Sequence, residues 1–152
     1  KKLSEKKRET LYEMIHKEAI AIGVGCVDAN TIDKINIKQA ARLAMKKALK
    51  QLGVTPDYLL VDAERVESRV PQMSIIKGDA RSQSIAAASI IAKVTRDRMC
   101  LEWDKLYPEY GIATHKGYAT KQHRECLQQF GATPLHRKTF LNNILHVQQE
   151  LF

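Results

Sequence analysis

The apolar positions of the chain change repeatedly between helical spacing and short continuous runs. Helical spacing begins after Ser4, a favourable N-cap residue, and again after Asn36, which has Gln39 three residues later as in a capping box. Glycines and prolines separate the periodic stretches. In this way the pattern predicts five helices, at about residues 3–18, 36–52, 84–107, 121–130 and 139–152.

Three short apolar runs lie between these helices and predict strands. Residues 21–27 form a glycine-broken run, residues 58–61 a continuous one that is typical of a strand buried on both faces, and residues 74–76 a third. Residues 28–30 are predicted to form a turn, and residues 114–120 a loop. The alternation of helices and strands indicates an α/β fold.

The size and composition are those of one globular domain. The chain has 152 residues, of which 44% are apolar and 28% charged, so a disordered tail, a fibre or a disulfide scaffold is excluded. The three cysteines, Cys26, Cys100 and Cys126, form no paired motif, which argues against a zinc site and favours a reducing cytoplasm. No apolar run is long enough to span a bilayer, and no signal peptide is evident.

The charge is strongly basic and concentrated at one end. Lysine and arginine number 25 against 17 aspartate and glutamate, a net charge of +8 with a pI near 9.5. Residues 1–50 alone hold 12 basic and 6 acidic groups, hence +6 of that total. Such an excess is typical of proteins that bind polyanions, although a solvated basic helix explains it equally well.

Asp62 directly follows the most apolar predicted strand. In α/β sheets the ligand site lies beyond the carboxyl ends of the strands, which favours a functional acid here. The alternative is an ordinary turn aspartate at the end of a strand.

Asp97 lies within an apolar helical stripe. Ile90, Val94, Asp97 and Leu101 are spaced four, three and four residues apart, so they share one face of the long helix. Burial of a lone carboxylate is costly unless a partner compensates it. Asp97 is therefore either a metal-binding or catalytic acid, or a structural acid paired with a cation, for which Lys93 is on the right face.

Two carboxylates from separate elements, together with a basic surface, fit magnesium-dependent phosphodiester chemistry. Mg²⁺ binds one or two carboxylates along with phosphate oxygens and water. We therefore expect Asp62 and Asp97 to face each other at the carboxyl end of the sheet, with further ligands to complete a two-ion centre.

The segment His115-Lys-Gly-Tyr118 places an aromatic ring beside cationic groups on a turn. Rings flanked by cations are common in nucleic-acid sites, where they stack on sugars or bases. A tyrosine that merely packs against the protein is the alternative.

These motifs together resemble the bacterial ribonuclease HII family. Residues 77–98 (KGDARSQSIAAASIIAKVTRDR) closely resemble its hallmark segment. Residues 1–9, 32–36, 61–63, 107–111, 115–118 and 136–137 are similar to further family motifs in the family's order. The resemblance extends over essentially the whole chain.

The resemblance implies a ribonuclease H-like mixed sheet of five strands flanked by helices, within a single domain, with a helical carboxyl-terminal extension from about residue 108 to 152. It implies an endoribonuclease that cleaves the RNA strand of RNA–DNA hybrids and nicks 5′ to a ribonucleotide embedded in duplex DNA, as in ribonucleotide excision repair. Mg²⁺ or Mn²⁺ would be the cofactor, and a cytoplasmic monomer without membrane contact is expected.

The resemblance also assigns roles to residues. Asp62 corresponds to the third and Asp97 to the fourth of four catalytic carboxylates. Tyr118 corresponds to the tyrosine that packs against the deoxyribose after the ribonucleotide. Lys1 and Lys2 fall within a lysine motif near the phosphate backbone.

The chain departs from the family at its beginning. It contains no Asp-Glu dipeptide and no Gly-Arg-Gly, the motifs that carry the first two acids and the reader of the 2′-hydroxyl. We therefore expect an amino-terminally shortened chain that lacks the first strands and has little activity by itself. A nucleic-acid-binding module without catalysis is the alternative.

Overall fold

The computed structural model describes residues 3–145, with side chains to residue 141. Lys1, Lys2 and the second half of the predicted last helix lie outside the described residues. The elements are α1 (Glu5–Glu18), α2 (Ala29–Gln51), β1 (Leu59–Asp62), β2 (Gln72–Ile75), α3 (Gly78–Arg81), α4 (Gln83–Leu106), a 3₁₀ turn (Pro108–Tyr110), α5 (Ile112–His115), α6 (Lys121–Phe130) and α7 (Lys138–Leu145).

The described residues form two compact units. The first comprises residues 3–27 and 38–95, and the second comprises residues 28–37 and 96–145. Helices α2 and α4 each contribute to both units. The prediction of one domain with an extension from about residue 108 stays a prediction. No helix among residues 3–145 combines the length and the apolar character that crossing a membrane requires.

The helix starts agree in part with the sequence prediction. Ser4 caps α1 as predicted, because its hydroxyl accepts a hydrogen bond from the Lys7 amide at 3.3 Å. Helix α2, however, starts at Ala29, where a turn was predicted, because the Asp28 carboxylate accepts the Thr31 amide at 2.8 Å and so caps it. Asn36 interrupts this helix with φ 65° and ψ 164°, so the predicted start is instead a kink.

The predicted strand at residues 21–27 is wrong, because this segment joins no strand of the described chain. It lies instead against the second half of α2. The Val24 amide donates to Gln51 Oε1 at 2.6 Å, and a Cβ added at Gly23 or Gly25 would collide with the carbonyl oxygens of Ala48 and Ala44. The two glycines permit this close backbone approach, which explains why the run is broken by glycine.

The described sheet has two parallel strands. Residues 59–62 of β1 pair in register with residues 72–75 of β2. Val61 is buried, but Leu60 and its partner Met73 are 41% and 51% exposed, so the prediction of a strand buried on both faces is wrong. The alternation of side chains to opposite faces leaves one face of this pair uncovered among the described residues. The larger mixed sheet and the absence of its first strands stay predictions.

Helix α4 confirms the long helix predicted over residues 84–107. It starts with small residues and ends before Pro108, which begins the 3₁₀ turn, and Gly111 then adopts φ 64°. Within the second unit, its last turns contribute to an apolar core. The buried members of this core are Cys100, Tyr110, Ile112, Leu127 and Leu141.

Helix α6 matches the predicted helix over residues 121–130, and Gly131 follows it with φ 78°. The predicted helix over residues 139–152 begins one residue earlier, as α7, because an acid from elsewhere in the second unit caps it. Asp33 accepts the Lys138 amide at 2.7 Å, and it also accepts the amide and the hydroxyl of Thr139.

Protonation of Asp33 is expected to loosen α7. The hydrogen bond from the Thr139 side chain, with those from two backbone amides, lowers the pKa of Asp33 below its usual value despite some desolvation. A depressed pKa means that this contribution to stability is present above about pH 4 and is lost as the pH falls. Amide exchange at residues 138–141 should therefore accelerate in Asp33→Asn at neutral pH, and not in Asp57→Asn, which changes an exposed aspartate outside α7.

Candidate functional site

Asp62 is the last residue of β1, as its position after the apolar run predicts, and it is exposed. Its Oδ1 atom accepts a hydrogen bond from the Gly78 amide at 2.8 Å. Among the described residues, no hydrogen bond reaches the other carboxylate oxygen. The carboxylate is thus oriented by one backbone contact and keeps an oxygen available for a ligand.

The residues around the contact between Asp62 and Gly78 have backbone conformations or close packing that restrict which side chains fit. A Cβ added at Gly78 would lie 2.5 Å from Ile85 Cδ1 and 3.3 Å from Asp62 Oδ1, so a larger residue would displace the carboxylate or the core. Lys77, just before it, and Ala63, just after Asp62, both have φ 55°. Left-handed backbone at non-glycine residues costs free energy and concentrates at functional sites.

Asp97 lies on α4 in the second unit, and 18% of its side chain is exposed. Its partner is Lys116, whose Nζ lies 3.1 Å from Asp97 Oδ2. Lys93, which shares the helical face, instead donates to Ser89 Oγ at 2.9 Å. The loop after α5 therefore supplies a cation for this carboxylate, and Lys93 does not take the role that its place on the helical face suggests.

The predicted apolar stripe around Asp97 is only partly buried. Val94 is 1% exposed and supports the prediction, but Leu101, one turn further on, is 52% exposed. Asp97 therefore sits where the buried part of the α4 face ends. An acid at such a boundary remains accessible to a ligand.

The loop that carries Tyr118 is anchored to α4 by Arg96. The Arg96 guanidinium donates to the Lys116 carbonyl at 2.6 Å and lies 5.3 Å from the centroid of the Tyr118 ring. Tyr118 is 66% exposed, so it is not the packed tyrosine that was the alternative. Gly117 between them has φ 77°, which favours glycine.

Lys116 was not singled out from the sequence as the partner of Asp97. The pair is separated by 19 positions, and helical periodicity predicts partners only three or four residues away. The only local signal was the presence of lysine within the basic loop. Lys1 and Lys2 lie outside the described residues.

Within residues 3–145, no three histidine, cysteine, aspartate or glutamate side chains are grouped so as to hold a metal ion. The two carboxylates predicted from the sequence as metal ligands are Asp62, in the first unit, and Asp97, in the second. Their roles, and that of Tyr118, stay predictions.

The α/β chain thus has an oriented acid at a strand end, a paired acid on a long helix and an exposed tyrosine beside cations. The sequence profile of the family described as ribonuclease HII matches residues 1–143. The chain therefore belongs to the ribonuclease HII family.

Curated relatives agree with this membership. The chain is 60% identical to the ribonuclease HII of Alkaliphilus metalliredigens over 151 residues, which cover 95% of this chain and 74% of that protein. It is 59% identical to the ribonuclease HII of Bacillus subtilis over 140 residues, 92% of this chain and 55% of that protein.

A solved structure supports the fold. The crystal structure of the ribonuclease H2 from Pyrococcus horikoshii superposes with a TM-score of 0.77 over 98% of this chain and 80% of that one. Since the two sequences are 23% identical, this likeness shows the fold alone.

Proposed function

We propose that the protein acts as a divalent-metal-dependent endoribonuclease on duplexes that contain RNA. Its substrates are the RNA strand of RNA–DNA hybrids and single ribonucleotides embedded in duplex DNA, which it nicks on the 5′ side. The products carry a 3′-hydroxyl and a 5′-phosphate. Membership of the ribonuclease HII family supports the reaction class.

One observation on the chain itself carries the proposal: Asp97 and the exposed Tyr118 are linked through a single basic loop. Lys116 pairs with Asp97, and Arg96 holds both the Lys116 carbonyl and the face of the Tyr118 ring. Lys116 and Arg96 thereby connect Asp97, the candidate catalytic acid, to Tyr118, the candidate substrate contact. A structural acid would also have a cationic partner, so the exposed ring beside the pair is what favours a substrate site.

The donor chemistry fits a divalent cation. Carboxylate oxygens are the ligands that Mg²⁺ and Mn²⁺ accept, and Asp62 and Asp97 each offer such a group. When bound, such an ion supplies charge stabilisation at the phosphate and a more acidic water. Two carboxylates are fewer than a two-ion centre uses, so further donors must complete the set.

The chain's own residues supply orientation and charge. Gly78 fixes the Asp62 carboxylate through its amide, so that little reorganisation is needed when a ligand arrives. Lys116 neutralises Asp97 when no ligand is bound, and it provides a cation for a phosphate once Asp97 engages its ligand. Tyr118 presents a ring face to a sugar, and the Arg96 guanidinium lies 5.3 Å from the centroid of that ring.

The 152-residue chain by itself is expected to bind such duplexes but to cleave them poorly. Of the four family carboxylates, its sequence supplies those that correspond to Asp62 and Asp97. The excess of basic residues in the first third of the chain supports binding to phosphates.

Metal removal provides the direct test. The full gene product should nick a DNA duplex that contains one ribonucleotide when Mg²⁺ or Mn²⁺ is present, and a chelator should abolish the nick. Readdition of the ion should restore it. A labelled 5′ end distinguishes the expected 3′-hydroxyl product from one cut on the other side. Binding without cleavage at every metal concentration would favour the non-catalytic module.

A further inference from the structure

Three histidines of the second unit form one cluster, joined by ring stacking and by a hydrogen bond. His115 and His123 are 5% and 6% exposed, and their rings stack with centroids 4.2 Å apart. His123 Nε2 lies 2.9 Å from His136 Nε2. They come from α5, from α6 and from the segment before α7, so the cluster ties three parts of this unit together.

The partners of the ring nitrogens determine where each proton lies. A carbonyl oxygen only accepts, so His115 Nε2 must donate to the Tyr110 carbonyl at 2.8 Å. An amide only donates, so His115 Nδ1 must accept from Gly117 at 3.1 Å. His115 is therefore neutral and carries its proton on Nε2.

The same reasoning fixes the other two rings. His123 Nδ1 lies 2.9 Å from the Tyr118 carbonyl and must donate to it. His136 Nδ1 accepts the Thr133 amide at 3.0 Å, and the Thr133 hydroxyl, which can donate to the same nitrogen, lies 2.8 Å away, so His136 carries its proton on Nε2. That proton satisfies His123 Nε2, which accepts it. One arrangement of protons satisfies every bond, and all three rings are neutral in it.

Two hydrogen bonds from these histidines hold the loop of the candidate site. His115 accepts from the Gly117 amide, and His123 donates to the Tyr118 carbonyl. Arg96 in addition donates to the Lys116 carbonyl. The backbone on both sides of the Gly117–Tyr118 peptide bond is thus anchored, while the Tyr118 ring stays exposed.

We propose that His123 and His136 are positioning residues, which hold the Gly117–Tyr118 loop in one conformation through a neutral chain with a single arrangement of protons. They touch no substrate and act through the backbone of Tyr118. Any effect of these histidines on substrate selection rests on the role of Tyr118 in the proposed function. Their effect on the conformation of the loop does not depend on that role.

Acid should release this loop. A proton added to His123 would place an N–H against the N–H of His136. One added to His136 Nδ1 would break the bond from the Thr133 amide, and the Thr133 hydroxyl, 2.8 Å away, would have to turn to accept it. Burial, together with the neighbouring histidines, lowers the pKa of both His123 and His136. The unfolded chain therefore binds more protons than the native one below about pH 6.5, so the stabilisation is complete above that pH and declines below it.

Among residues 3–145, no anion contributes to the pKa of His123 or His136. The charges that bear on the pKa of His123 and His136 are those of the other histidines. The neutral ring of Tyr110 lies 5.4 Å from His136, and its hydroxyl donates to the Gly131 carbonyl at 2.6 Å. On α6 the charged Lys121 and Glu125 pair with each other at 3.7 Å and are largely exposed.

Nitrogen-15 NMR of the full gene product with labelled histidine tests the arrangement without any variant. At pH 7.5 the spectrum should show the proton on Nε2 in His115 and His136 and on Nδ1 in His123. Titration to pH 5 should change the Gly117 and Tyr118 amide signals together with those of His123. The exposed His16 of α1, which lies outside the cluster, serves as the internal comparison. A different proton pattern, or a charged ring at pH 7.5, would overturn the proposal.

A pair of isosteres tests the anchoring. In His123→Asn the amide can replace Nδ1 as the donor to the Tyr118 carbonyl, whereas in His123→Gln the amide reaches the Nε2 position instead. In the His123→Asn variant we expect the Gly117 and Tyr118 amide signals to lie near those of the wild type. In the His123→Gln variant we expect these signals to be broadened or shifted. His16→Gln should leave them unchanged. Loop signals that are equal in the Asn and Gln variants would also overturn the proposal.

Activity assays then distinguish the positioning role of His123 from the recognition role of Tyr118. Nicking at a single ribonucleotide should decrease more than cleavage of continuous RNA in His123→Gln, and both should recover in His123→Asn. If the loop loses order in the Gln variant while this ratio stays constant, the positioning proposal holds and the recognition role of Tyr118 is wrong. Thermal unfolding of each variant identifies any that have lost the fold, and for those the pH titration of the wild type decides.

Discussion

Replacing Asp62 by asparagine in the full gene product is expected to remove most cleavage while leaving substrate binding nearly intact. Asparagine has the size of aspartate, and its oxygen can still accept the Gly78 amide, so the strand end should keep its conformation. What is lost is the negative charge that would hold the cation. Metal-centred stabilisation amounts to several kcal/mol, so the rate should fall about 100-fold or more.

The measurement pairs single-turnover cleavage with equilibrium binding of an RNA–DNA hybrid. Asp57→Asn is the matched control, since it removes one exposed aspartate just before β1 and should leave the rate unchanged. Equal thermal unfolding of the two variants would show that Asp62→Asn has kept the fold. A rate close to that of the wild type at saturating Mg²⁺ would remove Asp62 from the catalytic set.

A double variant tests whether Asp62 and Asp97 serve one centre, as the sequence led us to expect. Groups that act as a unit lose most of their effect with the first substitution, so Asp62→Asn with Asp97→Asn should be little slower than either variant alone. Independent roles would instead multiply the two losses. The Asp97 substitution also removes the ion pair with Lys116, so its binding has to be measured separately.

The sequence predicted best those features that depend on neighbouring residues. The cap at Ser4 and the bounds of α6 follow from side chains within one helical turn. The strand at residues 21–27 failed because apolar character cannot tell a strand from a segment packed against a helix through glycine. The start of α7 shifted because its cap, Asp33, lies more than a hundred positions away.

The candidate site shows the same difference between features set by neighbouring residues and features set by distant contacts. Asp62 and Asp97 were predictable because a strand end and a helical face are local patterns. The partner of Asp97 and the histidine chain behind Tyr118 depend on contacts made by the folded second unit. Periodicity carries no information about such contacts, since it relates residues of one element only.

Truncation of Tyr118 to alanine is expected to damage the nicking of a single embedded ribonucleotide more than the cleavage of continuous RNA. The ring is exposed and lies against the Arg96 guanidinium, so it can offer its other face to a sugar. A ribose on the 3′ side carries a 2′-hydroxyl that would crowd this packing, whereas a deoxyribose does not. The ring should therefore favour the junction from RNA to DNA.

Stacking of an aromatic ring on a nucleotide contributes about 1–3 kcal/mol, so the loss at the junction should be roughly 5- to 150-fold. Tyr118→Phe is the matched control, because it retains the ring and removes only the hydroxyl, and it should keep the preference. Both substrates are assayed side by side while Mg²⁺ is titrated. The metal dependence should not change in either variant, because the ring ligates no ion. Equal losses on both substrates, or a shifted metal optimum, would mean that Tyr118 supports the catalytic centre or the loop itself rather than recognition of the junction.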